Sequence, residues 1–380
     1  MRRLKVLLVL PLLLLYCQNF FAQIPLSDKA EITLLTCGPG EELYSVFGHT
    51  AIRIYDKESN IDAVYNFGTF DFDTPNFYLK FVKGDLKYFV SVSSYEEFIY
   101  QYVYYNRDVY EQVLDISQRQ KQNIYNELNS TLLSEKRYYT YKFIDRNCTT
   151  MVADILSRNI PGKISEETSD KGKTNREIIH SYLDNMFFEN LGINLMFGYK
   201  TDKVSDKLFL PQELLEGVDN TKIKGERLAL PPVHVYKAKE KESNKPFWNN
   251  YYFFSAIMLA LMFFTRSKTV LRSYLALTGL LGLFFCFVGF YSYHTEITQN
   301  YNALLINPLF LLLLYFTIAG KKNTIVITLY ICIGLLILYL IFTFNKPHFV
   351  MILPIAATNI IIFIRILMQV KLKQNTITNP

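Results

Sequence analysis

Cys148 stands in the run Tyr141-Lys142-Phe143-Ile144-Asp145-Arg146-Asn147-Cys148-Thr149-Thr150-Met151-Val152-Ala153, where an aromatic stretch gives way to a helix opening at the thiol. A cysteine at a helix N-terminus feels the positive end of the backbone dipole, which favours the thiolate. His49, one of only five histidines, lies in Ser45-Val46-Phe47-Gly48-His49-Thr50-Ala51-Ile52-Arg53-Ile54-Tyr55, a Gly-His step opening a run of strand character. A thiolate with an imidazole to carry its proton attacks carbonyl carbon, so the pair points to thiol acyl transfer. Each residue also has a plainer reading. Cys148 pairs with Cys37 if an exported domain oxidises them, and His49 is an ordinary hydrogen-bonded group at a strand start.

The elements that must position these groups are short and mixed. Leu34 to Cys37 ends an apolar strand, and Gly38-Pro39-Gly40 makes a turn before a short helix that stops at Gly48. Strands are expected at His49 to Tyr55, Ala63 to Phe67, Lys87 to Ser93 and Asp108 to Leu114, and helices at Gln118 to Leu132, Thr149 to Leu156, Arg176 to Leu183 and Pro211 to Leu215. The aromatic stretch Tyr100 to Tyr110 either lines a lipid path or, as a stripe of aromatics on strands more often does, packs. This is an α+β pattern, a small sheet flanked by helices.

Half the residues are apolar, and they concentrate at the two ends. Residues 1–23 carry Arg2, Arg3 and Lys5 ahead of an apolar run to Tyr16, which reads as a signal peptide or an uncleaved anchor. An extracytoplasmic domain over 24–236 and a charged linker over 237–246 follow. Residues 247–368 hold five apolar stretches, Phe247 to Phe264, Ser273 to Tyr291, Leu304 to Ala319, Thr324 to Phe344 and Phe349 to Met368, each near the length of a membrane span. Arg266, Lys268 and Arg272, then Lys321 and Lys322, then Arg365, Lys371 and Lys373 occupy alternate connections. The positive-inside rule puts these and the tail over 369–380 in the cytoplasm, and the domain outside. The net charge of +6 is largely accounted for by the signal and these loops, so it gives no reason to expect a nucleic-acid partner. Only Cys37 and Cys148 lie in the domain, which supplies no metal framework.

Gly48-His49 on a strand, Asn66 on the next, and Asn147-Cys148 opening a later helix resemble the circularly permuted, NlpC-type papain-like fold that includes lecithin:retinol acyltransferase. The set Phe47-Gly48-His49-Thr50, Tyr65-Asn66-Phe67-Gly68-Thr69-Phe70, Gly84-Asp85-Leu86-Lys87-Tyr88, Arg146-Asn147-Cys148-Thr149-Thr150 and Phe209-Leu210-Pro211, followed by a multi-span tail, is similar to the Lnb-type lipoprotein N-acyltransferases. The resemblance implies a membrane-bound enzyme of the bacterial inner membrane. Such an enzyme moves an acyl chain from the diacylglyceryl group of a lipoprotein to that lipoprotein's N-terminal amine, through a cysteine thioester. It implies Cys148 as nucleophile, His49 as base and Asn66 as its orienting group. The Cys148 backbone N–H and the Asn147 side chain are the expected oxyanion donors, with Arg146 beside them. No metal and no cofactor are required. Bacterial lipoproteins and membrane lipid are the implied partners.

Arg53 either clamps a head group or faces water from a strand. Between the second and third spans, Tyr293-His294-Thr295-Glu296 leads into Asn300-Tyr301-Asn302, on the side of the domain. Polar groups entering a span need partners, so His294 and Asn302 either receive the substrate's head group or dock the domain on its membrane base. Two other classes stay open: a membrane-anchored NlpC-type cell-wall amidase or endopeptidase, and a non-enzymatic membrane receptor.

Overall fold

The computed structural model describes residues 24–240 and 246–378. The expected signal peptide lies outside these residues, as do residues 241–245 of the expected linker. The N-terminal part contains β1 (Glu31–Cys37), β2 (His49–Asp56), β3 (Ile61–Thr69), β4 (Lys87–Ser94), β5 (Val109–Val113), β6 (Tyr138–Thr140), β7 (Lys222–Ile223), β8 (Glu226–Arg227) and β9 (Val233–Tyr236). Seven of them form one sheet in the order β6-β4-β3-β2-β1-β5-β9 with every neighbour antiparallel. The helices around it are α1 (Phe77–Lys83), α2 (Tyr95–Tyr104), α3 (Gln118–Leu132), α4 (Cys148–Asn159), α5 (Asn175–Tyr182), α6 (Phe187–Met196) and α7 (Pro211–Asn220). The α+β expectation holds for this part of the chain.

Alternation along the strands builds two cores. Ile32, Leu34, Ile52, Ile54, Tyr65 and Phe67 pack against Ile124 and Leu128 of α3, Val152 and Ile155 of α4, and Leu214 of α7. On the opposite face Leu35, Cys37, Ala51, Val64 and Val109 lie under Phe98 and Tyr102 of α2. β1 is therefore buried on both sides. The aromatic stretch expected on strands begins in α2 instead. Ser94 Oγ accepts from the Glu97 N–H and Glu97 Oε2 from the Ser94 N–H, a capping box that opens a helix burying Phe98 and Tyr102 one turn apart. The short helix expected before Gly48 is a run of turns.

The C-terminal part contains α8 (Tyr251–Phe264), α9 (Lys268–Tyr291), α10 (Leu309–Ala319), α11 (Lys322–Thr343) and α12 (Phe349–Thr378). Among the described residues four segments are long and apolar enough to cross a membrane: Lys268–Tyr291, Thr295–Ala319, Lys322–Thr343 and Phe349–Lys371. The expectation of five is corrected. Tyr251–Phe264 has 14 helical residues, about 21 Å at 1.5 Å per residue, shorter than a hydrocarbon core of about 30 Å, although it runs from the docked domain, where Trp248 meets Phe188, to Thr265 beside Arg365 at the other end of the bundle. The tail expected from residue 369 continues α12.

The bundle has a basic end and a docking end. Ser292, after α9, meets Val82 of the N-terminal part, and Lys346, after α11, pairs with Asp202 at 3.2 Å. Lys268 and Lys322 begin those two helices, so they stand at the opposite end, as do Arg266 after α8 and Arg365, which bonds Thr265.

The join centres on Arg176 of α5, which is 2% exposed. Its guanidinium reaches Asp202 at 2.6 Å, the Asn194 carbonyl at 3.0 Å, and the Phe197 and Gly198 carbonyls at 2.9 and 3.0 Å. Breaking such a buried, multiply bonded pair removes the closest partner of Asp202 and leaves several buried carbonyls short of a donor. Arg176→Met should lower unfolding stability by about 3 kcal/mol or more, read by thermal or denaturant unfolding of the detergent-solubilised protein. Lys29→Met, at the exposed Lys29–Glu58 pair, should leave the transition unmoved.

Candidate active site

Gly48 sets where the site begins. Its φ is 82°, and a Cβ there would stand 2.6 Å from the Cys37 carbonyl oxygen, so a side chain is excluded by both conformation and space. β2 opens at the next residue, with His49 opposite Cys37 and Ala51 opposite Asn66. His49 and Ala51 share a face of β2, so the imidazole and the Asn66 amide meet, with Nε2 and Oδ1 3.3 Å apart. Asn66 Nδ2 donates to the Val64 carbonyl at 3.3 Å and to Ser93 Oγ at 3.4 Å. With the amide so oriented, Nε2 carries the ring hydrogen and Nδ1 is left unprotonated.

Cys148 is the first residue of α4. Asn147 caps it: Oδ1 accepts from the Thr150 N–H at 2.9 Å, and Thr150 Oγ1 accepts from the Asn147 N–H at 2.9 Å. The thiol is half-buried beside Gly68, where a Cβ would lie 3.7 Å from that of Cys148. Burial pushes the Cys148 thiol up, but the adjacent His49 ring and the Thr50 N–H outweigh it, so the group sits below its ordinary value. The helix N-terminus acts in the same direction. Cys37 and Cys148 are both free thiols, so no disulfide joins them. Burial pushes Cys37 far above its ordinary value, with Tyr102 as its hydrogen-bond partner.

Residues 17–181, which contain Cys148, His49 and Asn66, match the family model of the Lnb N-terminal periplasmic domain. Over these residues the chain carries a domain of the Lnb N-terminal periplasmic type. With its four apolar segments, the protein is an inner-membrane protein whose N-terminal domain is periplasmic. No curated protein and no solved structure matches the chain.

The other expected site residues of the protein are distributed differently. Arg146 is exposed two residues before the thiol, its guanidinium 5.1 Å from the centroid of the Tyr139 ring. Asn147 is no oxyanion donor, because Nδ2 is committed to the Phe143 and Phe209 carbonyls at 2.6 and 2.8 Å. That second bond ties the Phe209-Leu210-Pro211 segment to the helix start, while Glu213 Oε2 holds the Phe209 and Leu210 N–H groups at 3.1 and 2.9 Å. Arg53 is occupied along β2, bonded to Asp62 at 2.7 Å and Glu111 at 3.0 Å and stacked 3.5 Å from the Tyr95 centroid. It is a cross-strand tie and clamps no head group.

His294 and Asn302 also serve docking. His294 Nε2 bonds the Phe81 carbonyl at 2.8 Å. Asn302, fully buried, donates to the Asn194 and Leu195 carbonyls at 3.0 Å each and accepts from the Tyr339 hydroxyl at 2.8 Å. Three residues near the thiol were not anticipated: Thr50, through its backbone N–H, the buried Tyr139 and the half-buried Tyr141, both rings close enough to feel its charge. The Tyr138-Tyr139-Thr140-Tyr141 cluster is visible in the sequence, but which ring turns inward depends on how β6 pairs with β4.

A thiol held below its ordinary value forms thiolate at lower pH than a free cysteine. The alkylation rate of Cys148 by iodoacetamide, followed by peptide mass spectrometry, should therefore rise with pH through a midpoint below that of an unperturbed thiol. His49→Ala should move the midpoint up, and Cys37 should stay unlabelled while the protein is folded.

Proposed function

We propose that this protein is a lipoprotein N-acyltransferase working through an acyl-thioester on Cys148. The observation that carries the reading is the thiol at a helix start beside His49, whose ring is held by Asn66, at the end of the sheet tied to the membrane base. A strand-borne imidazole that precedes a helix-borne thiol in the chain is also the order of permuted papain-like enzymes. On this reading residues 24–236 are the catalytic domain and 247–368 its membrane platform.

The thiol proton passes to His49 Nδ1, and the thiolate attacks the carbonyl carbon of a glyceryl ester. The Cys148 N–H, free at the first turn of α4, faces the developing oxyanion. The buried Tyr139 hydroxyl, beside Gly68 and the thiol, is a second donor. Collapse breaks the ester C–O bond, the imidazolium protonates the departing glyceryl oxygen, and the acyl group remains as thioester. The neutral amine of the lipoprotein's N-terminal cysteine then attacks that thioester, His49 takes the amine proton, and an amide forms as the thiolate leaves. Ester and amine become alcohol and amide. Asn66 acts by keeping the ring turned toward the sulfur throughout.

The orientation follows the same reading. The basic end, with Arg266, Lys268, Arg272, Lys321, Lys322 and Arg365, is cytoplasmic, and the C-terminus lies with it; the short α8 then carries the chain to that end from the docked domain. A cell-wall amidase would use the same three side chains with water as the second nucleophile, but it would need no fixed docking on a lipid-facing bundle.

Mass spectrometry of lipoprotein N-termini from cells carrying each variant tests the reaction. Cys148→Ala should leave free amines and intact diacylglyceryl groups, and His49→Ala should lower transfer by about 10²-fold or more. In wild-type protein given a lipoprotein with a blocked amine, a hydroxylamine-labile acyl group should accumulate on Cys148. Cell-wall peptide cleavage without N-acylation would assign the site to the amidase class instead.

A further inference from the structure

Helix α1 has the composition of a core helix and the burial of none. Its sequence is Phe77-Tyr78-Leu79-Lys80-Phe81-Val82-Lys83, and not one of its residues is buried. Tyr78 is 77% exposed and Leu79 69%, with Phe81, Val82 and the preceding Phe72 exposed around them. A contiguous apolar patch on a water-facing surface is unfavourable, and such patches mark contact with another apolar phase.

What that phase is follows from where α1 is fastened. Its last carbonyls would be orphans at any helix end, and three consecutive residues leaving the span α9 satisfy them. Ser292 Oγ donates to the Val82 carbonyl at 2.8 Å, the Tyr293 N–H to that of Lys83 at 2.7 Å, and His294 Nε2 to that of Phe81 at 2.8 Å. Gly84, in the left-handed region at φ 73°, lets the His294 ring close against the helix end, since a Cβ there would meet that ring at 3.0 Å. Tyr291 and Tyr293 are placed as interfacial aromatics, and Lys83 lies 5.9 and 5.6 Å from their ring centroids. α1 therefore sits at the depth where α9 leaves the hydrocarbon.

From α1 a series of ring contacts runs inward to the thiol. Phe77 meets Phe70 at 6.0 Å between centroids, Phe70 meets Tyr88 at 5.3 Å, and Tyr88 stacks on Tyr141 at 4.6 Å. Tyr141 lies within the electrostatic reach of Cys148. Phe70 itself follows Gly68-Thr69, the end of β3 that borders the thiol. We infer that α1 lies in the headgroup layer of the periplasmic leaflet and that, with Phe70, Tyr88 and Tyr141, it forms the apolar path along which an acyl chain of a membrane glycerolipid reaches Cys148. The path to the thiol rests on the acyl-transfer reading, whereas the depth of α1 does not. Lys80 suits that layer, its stem along the apolar surface and its ammonium among phosphates, while Lys83 is paired with Asp85 at 2.7 Å.

The test uses the full-length protein in phosphatidylcholine vesicles with brominated acyl chains. Trp248 is the sole tryptophan, so Tyr78→Trp in a Trp248→Phe background reports on α1 alone. Its emission should fall about twofold or more relative to unbrominated vesicles, as for a residue in the interface. Lys57→Trp, in the β2–β3 turn at the far end of the sheet, should be unaffected; equal, absent quenching at both positions overturns the placement. A second arm compares Leu79→Glu with wild type. Acyl transfer from vesicle-embedded lipoprotein should drop more than about tenfold, while iodoacetamide still alkylates Cys148 at the wild-type rate. Quenching at Tyr78 with undiminished transfer by Leu79→Glu would overturn the path. If the wild type transfers no acyl group, the enzymatic reading and the path fall together, and the quenching result alone decides whether α1 is interfacial.

Discussion

The free carbonyls at the C-terminus of α6 are the point on which both halves of the molecule hang. A helix leaves its last four carbonyl groups without partners, and those around Asn194 to Met196, with Phe197 and Gly198 just beyond, are divided between two sources of donors. Arg176 takes Asn194, Phe197 and Gly198 from the domain side. Asn300 and Asn302 take Asn194, Leu195 and Met196 from the membrane loop. Neither set suffices alone, so separating the halves would expose buried carbonyls and a buried guanidinium together. The join is thereby made rigid by desolvation as much as by attraction.

That rigidity reaches the thiol through a short stretch of chain. Glu296, in the same membrane loop, accepts from the Ile144 N–H at 3.1 Å, and Lys200 bridges Asp145 to Thr295. The lysines beside Asp145, Lys200 and Lys207, hold its carboxyl at about 2 despite its partial burial, so it stays ionised well below neutral pH. Ile144 and Asp145 lie just before the Asn147 cap. The position of Cys148 relative to the bundle is therefore set by the loop that emerges from it; on the proposed reading, this supplies the near-attack geometry that a membrane-anchored ester demands.

The sequence displayed its chemistry more clearly than its docking. Gly48-His49 and Asn147-Cys148 are local signals, a forced turn and a capped helix start, and the structure has both where the residues put them. Asn66 could be paired with His49 only because β2 and β3 are sequential strands with a short turn. Ser94 and Glu97 form a readable capping box, yet the Tyr-rich stretch after them resembles strand composition, and propensity alone misassigns it. Arg53, Asn147, His294 and Asn302 are polar groups whose partners lie up to about a hundred residues away or more. Nothing in their neighbourhoods distinguishes a residue waiting for a ligand from one already satisfied by a distant carbonyl. The span count failed for a related reason: Phe247 to Phe264 is apolar enough, but Trp248 and Asn249 are drawn to Phe188 and Glu189 of the domain, and the helix starts only at Tyr251.

A flexible tether and a fixed dock impose different demands on a catalytic domain. A tether lets the domain search a volume and suits a substrate that lies away from the bilayer, since the local concentration it produces falls as the linker lengthens. A dock gives up that search and is useful only where the substrate arrives at one height. Here the chain supplies apolar spans, two asparagines and a buried arginine to hold the sheet end bearing His49, Asn66 and Cys148 beside the exit of α9. On the proposed acyl-transfer reading, the residues that do no chemistry thus constrain it most, since they favour a second nucleophile that also lives at the membrane surface. The amine of a lipid-anchored chain meets that condition, and a half-buried thiol limits competition from water.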